Sequence, residues 1–397
     1  KDVVKMRVAP LLTFHHLNPA ESIWVSNTRT RGNAATRADL GTSCEAAALN
    51  RPNEINVDDP WTQDFFETAF MSMPGKGGTQ HSIRVNYRSA NVFEPGSKTR
   101  PLRPAGRFVF QERGKDVAGV QQFDVKHDQN MDSLNSFGNF ETVPPYEKDG
   151  VSYPFGRVLR GKTKSFYPDE TFSKMIDSQG QQPAIDIDTS WLLVGHVDET
   201  VSFVKAPTPR GWKLLVNDAR LAKQMLEDQV NAGHGDTPMF VGKTWYDWET
   251  YKEVPAAITI SEVLADREVM QSSAEAAAEV DGQLQVLKEE LGLTEDEIVR
   301  VPFLHTAYEG FSVAYQPGMV NGIYFSDTRF GAPDPHGPEI DGKDIFKAAL
   351  AEPLAKLGIA VDFIEDWDEY HVGGGEVHCG TNATRKIPEL RWWESGR

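Results

Sequence analysis

The chain has 397 residues, 58 of them acidic against 41 basic, for a formal charge of −17. That balance argues against nucleic acid as a partner, because such binding rests on neutralising phosphates; an acidic surface favours cationic ligands and metal ions instead. There is no run of about 18 apolar residues, so no membrane span is expected, and no signal peptide precedes the strand-like segment opening at Lys1. Any targeting sequence is therefore expected to have been removed or never to have existed, leaving a soluble protein, cytoplasmic or secreted.

Residues 1–210 read as short strands broken by glycine, proline and asparagine, for example over 83–87 and 107–110. A polar cluster, Asp58-Asp59-Pro60-Trp61-Thr62-Gln63-Asp64, adjoins apolar residues within this half. Further on, 191–194 reads as a buried strand, after which His196 and Asp198 stand two apart, the spacing that puts side chains on one side of an extended chain. Leu221, Met225 and Val230 predict a helix over 219–230, and Val280, Leu284, Leu287 and Leu291 place one apolar stripe on a second. Gly292 ends that helix, and Thr294 with Glu297 predicts a capping box at the start of another. No linker divides the chain, which predicts a single α/β catalytic domain over 1–397.

Only two cysteines are present, Cys44 and Cys379. Cys379 lies in Gly375-Glu376-Val377-His378-Cys379-Gly380-Thr381-Asn382, just after Gly373 and Gly374. Glycines there suit close approach of backbone to a ligand, and a thiol beside a histidine suits a nucleophile. The Asp64, His196/Asp198 and Cys379 segments are expected to converge as three strand ends on one site. A cysteine protease or acyltransferase would use a Cys–His pair with an orienting Asp and an oxyanion hole. A thiolate enzyme acting on a guanidinium would use two carboxylates to grip the planar cation, a histidine to pass protons and the thiol to attack the central carbon; two aspartates and an acidic chain suit this better. Zinc is disfavoured, since His378 and Cys379 are adjacent and no C-x-x-C or H-x-x-x-H pair occurs. His15-His16 is expected to be an ordinary pair facing opposite ways on a strand.

Gly195-His196-Val197-Asp198-Glu199 and the eight residues around Cys379 resemble the catalytic domain of the protein-arginine deiminases. The likeness extends to Arg7-Val8-Ala9-Pro10, the Asp58–Asp64 cluster, Ser136-Phe137-Gly138-Asn139-Phe140-Glu141 and Trp392-Trp393. It implies a five-bladed pseudo-symmetric α/β propeller that hydrolyses arginine side chains of proteins or peptides to citrulline, releasing ammonia. Asp64 and Asp198 would bind the guanidinium, His196 would be the general acid/base, and Cys379 would form a covalent amidino-thioether. Trp61 would line the channel for the aliphatic stem, and Arg88 would contact the substrate main chain. Close alternatives are a deiminase of free arginine or a small guanidine, and a calcium-binding module with a vestigial site.

The resemblance also implies Ca2+, held by Gln63, Glu67 and Glu141 with the carbonyls of Phe137 and Phe140, hard oxygen donors of the type calcium takes. A second calcium site of the mammalian members is expected to be broken, because Phe65 stands where an acid is needed and Asn86-Tyr87-Arg88-Ser89-Ala90 replaces an acidic-Ser-Pro-Arg-Asn stretch. Weaker calcium dependence follows. Gly373 replaces an arginine that contacts substrate backbone in those members.

Overall fold

Five times the chain lays down the same arrangement: two antiparallel strands, a helical crossover, and a third strand parallel to the second. The computed structural model describes residues 3, 8–94, 97, 101–124, 126, 132–163, 168–247, 250 and 252–395. The start of the strand-like segment expected to open at Lys1 lies outside them. The first unit is Phe66–Pro74, Gln80–Arg88 and Val117–Gln121. The second is Phe140–Val143, Arg157–Lys162 and Ile185–Asp188, and the third Val201–Lys205, Trp212–Asp218 and Ile298–Pro302. The fourth is Ile323–Ser326, Arg329–Pro333 and Ala360–Ile364. The fifth joins the two ends of the chain, pairing Thr381–Arg385 with Ala20–Ser26 and then Asn53–Ile55.

Parallel pairing demands a crossover long enough to return the chain to the same edge, and helices supply it. They are Phe108–Gln111, Glu170–Asp177, Ala219–Asn231 with Arg267–Leu291, Ile345–Lys356 and Arg31–Ala46 in the five units respectively. Their lengths differ from one turn to seven, which hides the repeat from any fixed-period reading of the sequence.

In each unit the first strand is entered from a tight turn. Thr62–Phe65 precedes the first, Phe137–Asn139 the second and Val197–Glu199 the third, each a single helical turn. Asn321 and Gly322 precede the fourth, and Cys379 and Gly380 the fifth. The turns touch one another: Gln63 N donates to Cys379 O at 3.1 Å, His378 N to Asn321 O at 3.0 Å, and Asn321 Nδ2 to Asp198 O at 3.0 Å. Polar side chains on these turns therefore meet in one place while the strands behind them carry the apolar core.

Several local expectations change. Residues 107–110 form helical turns rather than a strand, because a proline-initiated 3-10 turn over Pro104–Arg107 runs directly into Phe108–Gln111, and Phe108 and Val109 then bury against Phe65 and Phe66. Residues 191–194 are a turn joined to Ser312 by an isolated bridge. His196 and Asp198 thus meet through the 3-10 turn and not through strand alternation. The Thr294–Glu297 box forms, but it caps Glu295–Glu297 and leads into a strand. The long helix ends at Gly292 with φ +66° as expected, and Val280, Leu284, Leu287 and Leu291 are all buried. Ala219–Asn231 forms too, yet Ala222 and Leu226 fill the core while Val230 is exposed.

Candidate active site

Asp64, His196, Asp198 and Cys379 come together on these turns, each at most 9% exposed. The thiol of Cys379 donates to Asp198 Oδ2 at 3.5 Å, and His196 Nδ1 lies 3.8 Å from Asp64 Oδ1. His196 Nε2 meets the Ser133 carbonyl at 2.8 Å, so it carries the proton and leaves Nδ1 facing Gly138 and Asp64. Gly138 makes that possible, because a Cβ there would sit 2.4 Å from His196 Nδ1.

Three enclosed atoms of these four side chains have no hydrogen-bond partner among the described residues: Asp64 Oδ1, Asp198 Oδ1 and His196 Nδ1. Buried polar groups are normally satisfied, so a cluster of orphaned acceptors around one thiol marks where a donor-rich, cationic ligand belongs. Burial pushes the Asp64 carboxyl up, against the pull of Arg103. Burial, then the carboxylates of Asp198 and Asp64, also hold the Cys379 thiol well above its ordinary range. Of the two ways to form the thiolate, a pre-lowered pKa is therefore disfavoured, and a ligand cation that neutralises the aspartates is favoured.

Asp64 is itself anchored. Arg103 Nη1 donates to Asp64 Oδ2 at 3.0 Å, while Nε and Nη2 take both oxygens of Asp59 at 2.7 and 2.8 Å. Asn321 holds the opposite side: its Oδ1 accepts from His378 N at 3.0 Å and Cys379 N at 3.3 Å, and its Nδ2 lies 3.4 Å from Sγ. Neither Arg103 nor Asn321 stands in a motif that sequence reading could single out.

Trp61 is half-buried and packs edge-on against Tyr370 at 5.7 Å between ring centroids. A Cβ on Gly375 would lie 2.4 Å from its indole, and one on Gly373 3.1 Å, so the glycine run is the bed of Trp61. A cavity of about 30 Å³ beside Cys379 is walled by Leu192, Val194, Phe303 and Val313, apolar surface suited to an alkyl stem. Arg88 is buried elsewhere in this region, its guanidinium taken by Gln121 at 2.7 Å and by the carbonyls of Leu102 and Arg103. It touches the loop that carries Arg103, not the thiol. Both cysteines are free, and Cys44 is buried within Arg31–Ala46.

The model of the protein-arginine deiminase (PAD) family matches residues 1–394. The chain belongs to the protein-arginine deiminase family. It is 30% identical to human protein-arginine deiminase type-4 over 406 residues, covering 99% of this chain and 56% of the relative. It is likewise 30% identical to human type-3, covering 99% and 56%. The chain thus spans a little over half the length of these curated relatives. In fold it is similar to the agmatine deiminase of Enterococcus faecalis, with a TM-score of 0.50, 11% identity, and coverage of 95% of this chain and 96% of that one.

Four of the residues expected to hold calcium border one polar cavity. Gln63, Glu67, Phe140 and Glu141 line it, and the Phe137 carbonyl accepts from Gln63 Nε2 at 3.1 Å. Burial, with Glu141 nearby, pushes Glu67 up to about 7. His16, His378 and Arg385 share the same cavity, where His16 was expected to be an ordinary strand histidine. Phe65, at the position of the second calcium set, is fully buried and stacked on Phe66.

Proposed function

We propose that this chain hydrolyses the guanidinium of peptidyl arginine to citrulline and ammonia as a single catalytic domain, its five units arranged as the blades of a pseudo-symmetric propeller. The observation that carries the reading is the set of orphaned acceptors, Asp64 Oδ1, Asp198 Oδ1 and His196 Nδ1, gathered around the Cys379 thiol. A guanidinium presents planar N–H donors to two carboxylates at once, which fixes its central carbon against the sulfur. Its charge offsets the aspartates that hold the thiol protonated, so binding itself favours the thiolate.

The thiol gives its proton to the unprotonated His196 Nδ1; Sγ attacks the central carbon, one C–N bond breaks, and the departing nitrogen takes that proton from Nδ1 and leaves as ammonia. The substrate is left as an amidino-thioether on Cys379. Water, losing a proton to the same His196 nitrogen, adds to that carbon and expels the thiolate, giving the ureido group of citrulline. Asn321 holds the backbone of His378 and Cys379 in register for both steps.

Calcium is the metal the family reading brings. The cavity residues fit a cation in part: Glu141 Oε1 is enclosed without a hydrogen bond, and Gln63, Glu67 and the Phe137 and Phe140 carbonyls are hard oxygen donors. Gln63 adjoins Asp64 on one helical turn, so an ion there would steady that carboxylate. The expected partners are arginine-containing proteins or peptides.

Acid quenching during turnover of a blocked arginine amide, followed by intact-protein mass measurement, tests the chemistry. A substrate adduct lacking ammonia, mapped to Cys379 and absent from C379A, is the expected result. Turnover with no adduct, or by C379A, would overturn the covalent route.

A further inference from the structure

The imidazole of His196 is held at one nitrogen by a single residue, Ser133, 63 positions earlier in the chain. Ser133 lies in the 3-10 turn Asp132–Asn135, just before the second unit, while His196 caps the turn that opens the third. The Ser133 carbonyl meets His196 Nε2 at 2.8 Å, and Ser133 Oγ meets the same nitrogen at 3.0 Å. The ring itself is buried, so its orientation depends on such contacts and not on water.

Every hydrogen in this contact can be assigned. A hydroxyl has one hydrogen, and Ser133 Oγ lies 2.5 Å from the Val194 carbonyl, which can only accept, so that hydrogen is spent there. Toward His196 the hydroxyl therefore offers a lone pair. The Ser133 carbonyl accepts from Ser136 N at 2.9 Å, closing its own turn, and has its second lone pair free for Nε2. Two acceptors on one residue thus demand the same N–H. The ring keeps its lone pair on Nδ1, which faces Gly138 and Asp64 and has no hydrogen-bond partner.

We propose that Ser133 is the positioning residue of the catalytic histidine, its carbonyl and hydroxyl together holding the proton on Nε2 and steadying the charge the ring gains when Nδ1 takes a second one. This rests on the reading of His196 as general acid/base. In that step the Nε2 donor becomes part of a cation, and hydrogen bonds from ionised donors are about twice as strong as neutral ones, so the two acceptors stabilise the ring most while it carries the proton. A base of this type is often oriented by a carboxylate. Here the carboxylates of Asp198 and Asp64 already hold the Cys379 thiol up, and neutral oxygens orient the ring without adding negative charge that would hold it further. Val194 also walls the cavity beside Cys379, so the hydroxyl ties the histidine's bracket to the place where the alkyl stem would lie.

The test pairs steady-state kinetics on a blocked arginine amide with nitrogen NMR of the imidazoles, His196 being assigned by the signal lost in H196Q. S133A, shown to be folded by circular dichroism and melting, is expected to lower kcat at least about tenfold, the size of one lost hydrogen bond to a charged group, with KM changed by less than about threefold. S133T restores the hydroxyl and is expected to return kcat to within about threefold of wild type. In the spectra the neutral His196 ring of wild type is expected to carry its proton on Nε2, and that proton is expected to exchange with water faster in S133A. An unchanged kcat in S133A, a rise in KM with kcat kept, S133T no more active than S133A, or a wild-type ring protonated on Nδ1 alone would each overturn the proposal. A wild type that leaves the amide unconverted would overturn the deiminase reading instead, and the two spectra would still decide what Ser133 does to the ring.

Discussion

Arg103 holds Asp64 through one oxygen only, Nη1 to Oδ2 at 3.0 Å, and leaves Oδ1 bare. The rest of its fork is spent on Asp59, so the arginine is a bracket and not a competitor for the whole carboxylate. Asp64 thereby keeps one fixed oxygen toward the space where a guanidinium would lie.

Removing that bracket leaves Asp59 and Asp64 facing each other in a buried setting. R103M is expected to cost on the order of 3–5 kcal/mol in unfolding free energy, the usual cost of stripping one partner from a buried pair. R103K retains charge but not the fork, and is expected to restore most of the stability with kcat/KM still at least about tenfold down. Denaturant titration and steady-state kinetics on both variants check this; equal activity in R103K and wild type would count against a bracketing role.

Asn321 acts on the nucleophile's backbone rather than on substrate. N321A removes an acceptor shared by two amides and the donor aimed at Sγ, so kcat is expected to fall about 10²-fold with KM changed by less than threefold, a loss of the size typical for one positioned donor. A rise in KM with kcat preserved would assign the residue to substrate binding instead.

The bed of Trp61 admits no side chain. G375A brings a methyl group within 2.4 Å of the indole and is expected to displace Trp61, raising KM about tenfold and shifting tryptophan emission. If neither changes, Trp61 does not form the channel wall.

Two buried acids near the site set an alkaline limit on stability. Burial raises Glu199 from 4.5 to about 8, although its Oε1 accepts from His196 N at 2.8 Å, and burial likewise raises Glu376 to about 8. The folded state keeps protons here that the unfolded chain releases above 4.5. The stability they contribute is therefore complete below pH 4.5 and is lost as pH rises through about 8. E199Q, neutral at every pH, is expected to flatten the fall in melting temperature between pH 5 and 8; an unchanged profile would show that Glu199 ionises normally.

The chemistry of this chain was more legible in sequence than its architecture. Cys379, His196 and the two aspartates announce themselves by residue type and by flanking glycines, and the structure brings them together. The convergence was read through the wrong device, since strand alternation was expected to join His196 to Asp198 where a 3-10 turn does it. The five repeats stay hidden because a turn-length crossover in the first unit and a pair of long helices in the third answer the same topological need. Arg103 and Asn321 were invisible for a common reason: each gains its role from a partner 39 or more residues away, and nothing local marks it.

The central claim is peptidyl-arginine deimination through Cys379, and citrulline formation from a blocked arginine peptide and from free arginine, each with calcium and with a chelator, tests it most directly. The expected result is conversion of the peptide by wild type and none by C379A, with calcium raising the rate if Gln63, Glu67 and Glu141 hold it. Conversion of free arginine alone would contradict the peptidyl assignment, and a folded protein that converts neither under any condition would contradict the enzyme itself.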